Sequence, residues 1–363
     1  MNKKISFLKK IDSIIGPASV RIVKAFFKPK KRIPDRIDSI LIIRPGGIGD
    51  AVLLIPSIKM LKVAFPDAFI TVLCEKRNFE IFNLSKEVDK ILLYDKPLAL
   101  YSAIAGSYDM VIDTEQWYRL SAIIAYLTRA PLRIGFATNE RKLLLSKGIT
   151  YSQDRYEMES FFDLVDSYTE RKRLKEETFL SIKDSDAKKA ETILESFSGK
   201  KVVVLFSGGS IPEKRWSVQK FHHLCRLLAM EGYGLVLIGG NADADDCFEL
   251  ATGIEGITNL CGKLPLSESA AILNQASLLI SGDSGIMHIA FALGTATLSL
   301  FGPGNEKKWA PRGSSHIVIR RNLDCSPCSR FGDTPRCEKN VECMNLIEVE
   351  EVYKRAVEML ERK

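Results

Sequence analysis

The sequence predicts an α/β protein made of two doubly wound domains, each built on a parallel sheet. Two observations carry this. Short apolar runs alternate with helical patterns in two successive series, and such alternation builds parallel sheets covered by helices on both faces. Each series also opens with a strand that runs into a glycine-rich loop. The chain of 363 residues is too long for one ordinary domain at roughly 100–200 residues each, which agrees with two.

Residues 1–36 come before the first strand and are read as a basic amphipathic N-terminal segment. They hold eleven Lys or Arg against two acids, so 11 − 2 = +9 of charge, and with a chain total of +7 the remainder is at −2. The chain is therefore a near-neutral body with a basic extension, which argues against nucleic-acid binding. Charge interrupts the apolar residues and no small-residue cleavage site follows, so a secretory signal is not expected. No apolar run approaches the ~20 residues of a membrane-spanning helix. On a helical projection Ile5, Leu8, Ile11 and Ile15 share one face. Beyond Gly16-Pro17, which separates two stretches, Val20, Val23, Phe26 and Phe27 share another, opposite Arg21, Lys24 and Lys28. Such a helix suits the surface of an anionic membrane. Packing on the protein's own surface is the alternative.

The first domain, residues 37–175, contains the strand-like runs SILIIRP, FITVLCE, KILLYD and YDMVIDT, with helices over Ala51–Ala64 and Trp117–Thr128. The alternation weakens through 138–190, where a charged helix over Glu157–Arg173 is expected. The charged stretch from Arg171 to Glu177 is read as the domain boundary. The second domain, residues 176–345, contains KVVVLFS, GLVLIGG, SLLISGD and ATLSLFG, with helices over Val218–Glu231, Ala242–Thr252, Ser267–Ala276 and Gly285–Leu293. A helix over Val349–Arg362 closes the chain in residues 346–363. Ligands of doubly wound sheets bind beyond the carboxyl ends of the strands, so two such domains suggest a cleft between them.

Three loops carry the chemistry. In Arg44-Pro45-Gly46-Gly47-Ile48-Gly49-Asp50 the glycines let a ligand approach the backbone at a helix start. Asp50 is read either as a helix N-cap or as a carboxylate able to take a proton from a hydroxyl. The pattern is not the GxGxxG of dinucleotide sites. Ser207-Gly208-Gly209-Ser210-Ile211-Pro212-Glu213-Lys214-Arg215-Trp216 offers small residues, hydroxyls and two cations, which suit a diphosphate or an ordinary polar turn. Ser281-Gly282-Asp283-Ser284-Gly285-Ile286-Met287-His288 joins a strand to an apolar helix whose first N–H groups form an anion seat. His288 lies one turn in, either facing that anion or buried in the core. Asp283 would repel phosphate, so it bonds to sugar hydroxyls or caps the helix.

Together these segments resemble glycosyltransferase family 9, the heptosyltransferases of lipopolysaccharide core assembly. The matching stretches are ILIIRPGGIGDAVLLIPSIKMLKVAFPDAFITVL, SGGSIPEKRWSVQKFHHL and SGDSGIMHIAFALGTATLSLFGPGNEKKWAP, and the likeness covers roughly residues 37–345. The resemblance implies a GT-B fold, with two Rossmann-like domains facing across a cleft. It implies inverting, metal-independent transfer from ADP-heptose to a lipid-linked saccharide acceptor. Asp50 would be the general base, with Gly46, Gly47 and Gly49 forming the acceptor-side loop. Lys214 would sit by the donor phosphates with Ser210. Asp283, Ser284, Gly285 and His288 would bind diphosphate and sugar, and Asp243 is the nearest match to a nucleoside-contacting acid. No cofactor is expected. The location expected is the cytoplasm, at the inner face of a bacterial inner membrane where the N-terminal segment could rest.

Rival functions are another nucleotide-sugar transferase or a GT-B epimerase of cell-surface polysaccharide synthesis, an NAD-dependent dehydrogenase, and a non-catalytic nucleotide-binding module. The absent GxGxxG speaks against the dehydrogenase. The presence of both Asp50 and Lys214 speaks against the non-catalytic module.

Eight cysteines without a secretory signal point to a reducing compartment. Cys74, Cys225, Cys247 and Cys261 lie in apolar periodic stretches and read as core thiols. Cys325, Cys328, Cys337 and Cys343 are spaced C-x2-C-x8-C-x5-C. Four thiolates could hold zinc or an iron–sulfur cluster, but the spacing is irregular for structural zinc, so free thiols are expected and no metal is assigned.

Overall fold

The computed structural model describes residues 3–30, 32, 34–166, 168–169 and 178–362, with side chains from residue 11 onward. The chain divides into two compact units, Met1–Lys175 and Glu176–Lys363. The stretch Arg171–Glu177, read as a boundary, lies outside the described residues.

The first unit holds β1 (Ser39–Arg44), β2 (Phe69–Cys74), β3 (Lys90–Leu93), β4 (Met110–Asp113), β5 (Leu132–Phe136) and β6 (Lys147–Ile149). They form one parallel sheet in the order β3-β2-β1-β4-β5-β6. Ile40, Leu41, Ile42 and Ile43 of β1 are all buried, because helices cover both faces of a parallel sheet. Its helices are α1 (Lys3–Phe26), α2 (Ile48–Ala64), α3 (Phe79–Asn83), α4 (Pro97–Ala105), α5 (Arg119–Leu127) and α6 (Glu157–Val165).

The second unit holds β7 (Val202–Phe206), β8 (Gly234–Leu237), β9 (Ile257–Asn259), β10 (Leu278–Gly282), β11 (Thr297–Phe301) and β12 (His316–Arg320). Read from β9, their order is β9-β8-β7-β10-β11-β12, the same winding as in the first unit, and every pairing is parallel. Around it lie α7 (Asp184–Leu194), α8 (Val218–Met230), α9 (Ala244–Ala251), α10 (Leu266–Gln275), α11 (Gly285–Ala292), α12 (Glu306–Trp309), α13 (Glu342–Asn345) and α14 (Val349–Glu361). Val352, Ala356 and Leu360 of α14 enter the core beside Leu224 and Leu228 of α8. In both units the winding reverses next to the first strand, between β1 and β4 and between β7 and β10. A crevice for ligands opens at that point.

Strands β5, β6, β9 and β12 have no clear counterpart in the sequence pattern. β6 and β9 are three residues long. β5 carries Arg133, whose buried guanidinium is satisfied by backbone carbonyls, including that of Leu144 at 2.9 Å from Nε. The helix expected over Glu157–Arg173 ends at Val165.

The N-terminal segment departs from expectation in two ways. First, α1 runs unbroken through Gly16-Pro17. Gly16 is a contact point and not a break: a Cβ there would stand 2.7 Å from Arg119 Cδ, so the missing side chain lets α1 lie close to α5. Second, Phe26 does not share the environment of Val20. Val20 is buried against Ala122, Tyr126 and Leu144, while Phe26 is 80% exposed. Asp12 completes the docking. Its Oδ1 accepts from the backbone N–H groups of Arg119 and Leu120 at 2.8 and 3.3 Å, and its Oδ2 pairs with Arg119 Nη1 at 3.1 Å. α5 has no side-chain cap of its own, so Asp12 caps it from another helix.

The reading of all four periodic cysteines as free core thiols is also corrected. Cys74 and Cys225 are free and buried, but Cys247 and Cys261 form a disulfide. α9 and the loop after β9 bring their Cα atoms to 6.3 Å, within reach of a bridge.

Candidate active site

In the first unit the site grows from the carboxyl ends of β1 and β4. β1 ends in Arg44, the chain turns through Pro45-Gly46-Gly47, and α2 begins at Ile48. Gly46 has φ +117°, and a Cβ there would meet Arg44 Nη2 at 3.0 Å, so the turn needs glycine on both counts. Gly47 is the N-cap residue of α2 and Gly49 its second residue.

Asp50 therefore sits in the first turn of α2 and is not its N-cap, and no side chain caps this helix. Its carboxylate, 21% exposed, is held from below. Gln116 Nε2 donates to Asp50 Oδ1 at 3.3 Å, and Arg44 Nη1 stands 3.9 Å from the same oxygen. Arg44 is itself 2% exposed and anchored by the carbonyls of Pro45 at 2.8 Å and Thr114 at 2.9 Å. Its other terminal nitrogen faces Glu115 Oε2 at 3.6 Å. Burial alone would lower the pKa of this guanidinium, but the carboxylates of Asp50, Glu115, Glu157 and Asp113 outweigh burial and raise it.

Gln116 also donates to Glu157 Oε1 at 2.6 Å, and Tyr151 donates its hydroxyl to Glu157 Oε2 at 2.9 Å. Glu157 is fully buried. Burial first, and Glu157 next, push the Tyr151 phenol well above its ordinary range, so it remains a donor. Glu115 shapes the turn beyond β4 by accepting from the N–H groups of Gln116 and Trp117 at 3.0 and 3.1 Å. Beneath it Arg141 and Asp113, both fully buried, form an ion pair. Glu115, Gln116, Tyr151 and Glu157 were not anticipated as site residues. The polar run Asp-Thr-Glu-Gln directly after an apolar strand was a usable signal for two of them. Nothing local marks Glu157.

In the second unit the loops after β7 and β10 meet. Lys214 closes the short turn Pro212–Lys214, and its Nζ pairs with Asp283 Oδ2 at 2.6 Å, with side-chain exposures of 19% and 8%. Asp283 thus neither caps α11 nor stands unpaired, and Ser284 is the N-cap residue. Trp216, buried, donates Nε1–H to the carbonyl of Ile347 at 3.1 Å and fixes the end of the Lys214 turn. Arg215, the second cation, serves its own loop. Nε donates to the carbonyl of Gly209 at 2.9 Å, and its terminal nitrogens face Asp246 at 3.4 Å and Asp243 at 3.9 Å.

Asp243 accepts from the backbone N–H of Gly240 at 2.9 Å and packs against Gly208. Ser210 is exposed. Gly285 opens α11. His288, 3% exposed, has its ring edge-on to Trp309 at 6.4 Å between centroids. Two buried hydroxyls at this edge of the sheet, Ser207 and Ser284, have no hydrogen-bond partner among the described residues. Buried polar groups are nearly always bonded, so hydroxyls left this way, Ser207 at the end of β7 and Ser284 at the start of α11, suit a polar ligand.

Cys325, Cys328, Cys337 and Cys343 are free thiols. The backbone N–H of Val341 donates to Cys337 Sγ at 3.3 Å. Burial, and after it the neighbouring cysteines, push the thiols of Cys328 and Cys343 up. Among the described residues no group of three or more His, Cys, Asp or Glu is arranged to hold a metal ion.

The family model described as glycosyltransferase family 9 (heptosyltransferase) matches residues 98–338. Lipooligosaccharide heptosyltransferase 2 of Haemophilus influenzae is 25% identical over 312 residues, spanning 78% of this chain and 88% of the relative. Among solved structures, a family 9 glycosyl transferase from Veillonella parvula superposes with a TM-score of 0.75 at 21% identity, covering 90% of this chain and 97% of that one. The E. coli ADP-heptose lps heptosyltransferase II superposes with a TM-score of 0.73 at 20% identity, covering 89% and 98%. With two parallel six-stranded sheets of the same winding, the architecture is that of the GT-B class.

Proposed function

The chain belongs to glycosyltransferase family 9, the heptosyltransferases, and on that premise we propose that it transfers a heptose from ADP-heptose to a hydroxyl of a lipopolysaccharide inner-core acceptor, with inversion and with Asp50 as general base. The observation that carries the reading is the state of Asp50. It is a partly exposed carboxylate at the carboxyl end of β1 that caps no helix and is steadied by Gln116 and Arg44. The donor is that of the E. coli ADP-heptose lps heptosyltransferase II, whose fold this chain shares.

In this reading the acceptor hydroxyl gives its proton to the Asp50 carboxylate as its oxygen attacks the anomeric carbon. The bond from that carbon to the diphosphate oxygen breaks, and ADP leaves with the electron pair. A single displacement inverts the anomeric centre. Charge growing on the leaving diphosphate needs fixed donors, and Lys214, Ser284 and the first N–H groups of α11 supply them. Asp283 holds Lys214 in place and can accept from sugar hydroxyls. Asp243, Gly285 and His288 line the donor side, with Asp243 toward the nucleoside.

The test is a donor panel of ADP-heptose against UDP- and GDP-sugars, with a lipid A–inner-core acceptor and product mass spectrometry. NMR of the product gives the anomeric configuration. Transfer from ADP-heptose with inversion is expected. Preference for a UDP- or GDP-sugar, or retention, would overturn the corresponding part.

A further inference from the structure

α1 carries apolar residues on two separate faces, and only one of them packs on the protein. The inner face, with Gly16 and Val20, lies against the first unit. On the outer face Ile14, Ile15, Ile22 and Phe26 are 67%, 55%, 57% and 80% exposed. Ile15, Ile22 and Phe26 are seven and four positions apart, which places them on one stripe of a helix, with Ala18 between them. Five of the fourteen large exposed hydrophobics among the described residues fall within residues 14–27. A docked surface helix ordinarily turns a polar face outward, so this ridge needs an occupant.

Charge identifies it. Arg21 and Lys24 are exposed too, round the helix from Ile22 and Phe26 on the other side of the outward surface, and Lys28 follows the end of the helix. The single acid of α1, Asp12, is turned inward and neutralised by Arg119. The outward surface is thus apolar along one side and purely basic along the other, complementary to an anionic lipid interface. Among the described residues no helix is long and apolar enough to cross a membrane, so α1 would lie in the interface plane.

We infer that the outward face of α1, from Ile14 to Phe26, is a surface that inserts into an anionic bilayer, held rigidly on the first unit by Asp12 and Val20. This deepens the acceptor reading by naming where the protein meets the membrane that would carry a lipid-linked acceptor. Its own support is independent of the transfer chemistry.

The test uses the full chain and co-sedimentation with vesicles of phosphatidylglycerol and phosphatidylethanolamine, or of phosphatidylcholine alone. The wild type should partition to the anionic vesicles and less so as salt rises. Ile22→Glu/Phe26→Glu should lower that partitioning by roughly tenfold or more. Lys24→Glu/Lys28→Glu should lower it several-fold, with the melting temperature unchanged for both pairs because all four positions are exposed. Three results would overturn the inference: no sedimentation of the wild type with anionic vesicles, equal sedimentation with both kinds, or wild-type partitioning of Ile22→Glu/Phe26→Glu. A wild-type dimer that the same pair converts to a monomer, with vesicle binding unaltered, would assign the ridge to a second copy instead. Transfer to a soluble acceptor is measured in parallel. Its failure in the wild type would sink the proposed reaction and leave the vesicle result standing.

Discussion

Gln116 donates its side-chain amide to Asp50 Oδ1 at 3.3 Å, joining two residues 66 positions apart at the ends of β4 and β1. The same nitrogen donates to buried Glu157 at 2.6 Å, so one amide aligns Asp50 against a fixed group. This relation sets what substitutions around Asp50 should do.

Asp50→Asn keeps the shape of the side chain and removes its basicity. Because Asp50 caps nothing and the buried Arg44 keeps Glu115 and two backbone carbonyls, the loss of stability should stay near ~1 kcal/mol. kcat should fall by ~10²–10⁴-fold, the usual contribution of a general base. Measuring kcat beside the melting temperature decides the matter: a rate within a few-fold of wild type removes Asp50 from the chemistry.

Gln116→Glu places a third carboxylate between Asp50 and Glu157. A like charge nearby favours the protonated form of a carboxyl group, so the acidic limb of the kcat–pH profile should move to higher pH. Gln116→Met removes the amide without adding charge. It should lower kcat by roughly tenfold, in line with one lost hydrogen bond of ~1–1.5 kcal/mol, with the limb near its wild-type position. Identical profiles for both variants would show that Gln116 has no electrostatic hold on Asp50.

Lys214→Ala strands Asp283, whose side chain is 8% exposed, beside the proposed diphosphate seat. ADP affinity should weaken by roughly ten- to hundredfold, as expected for a lost charged hydrogen bond of ~1.5–3 kcal/mol plus uncovered repulsion. Lys214→Ala/Asp283→Asn should recover part of it. Calorimetry on the four proteins of the cycle measures the coupling, and strictly additive losses would mean the pair does not act on the nucleotide together.

Arg141→Met leaves the fully buried Asp113 carboxylate without its cationic partner under the β4 turn, with the Ser121 hydroxyl and the Glu115 N–H still donating to it. Breaking a buried pair from one side costs ~3–5 kcal/mol, read as a lower denaturation midpoint. A loss below ~1 kcal/mol would show that the carboxylate is relieved by protonation or by water.

Asp12→Ala removes both the borrowed cap of α5 and the Arg119 ion pair. The cap alone is worth ~1 kcal/mol. Faster hydrogen exchange should appear in α1 and in the first turn of α5, with β1 unaffected. Unchanged exchange in α1 would mean that Val20 and its neighbours suffice to dock the helix.

The sequence by itself determined the two-domain α/β architecture and the position of each chemical loop. Runs such as ILII and VVVL become buried parallel strands on local grounds, and glycines at their carboxyl ends mark where the backbone must turn sharply. Both rules act within a few residues, so both leave a readable trace. Tertiary structure decided the rest. Glu157 reaches Gln116 across 41 positions, and Asp12 reaches Arg119 across 107. Cys247 and Cys261 meet only because α9 folds back beside β9. The unbroken course of α1, with Phe26 outside and Val20 inside, depends on how closely Gly16 lets it approach Arg119. Such contacts follow from strand order and helix docking, which no local period encodes, and that is why the Arg44–Asp50 loop and the polar run to Gln116 left a trace in the sequence while Tyr151 and Glu157 did not.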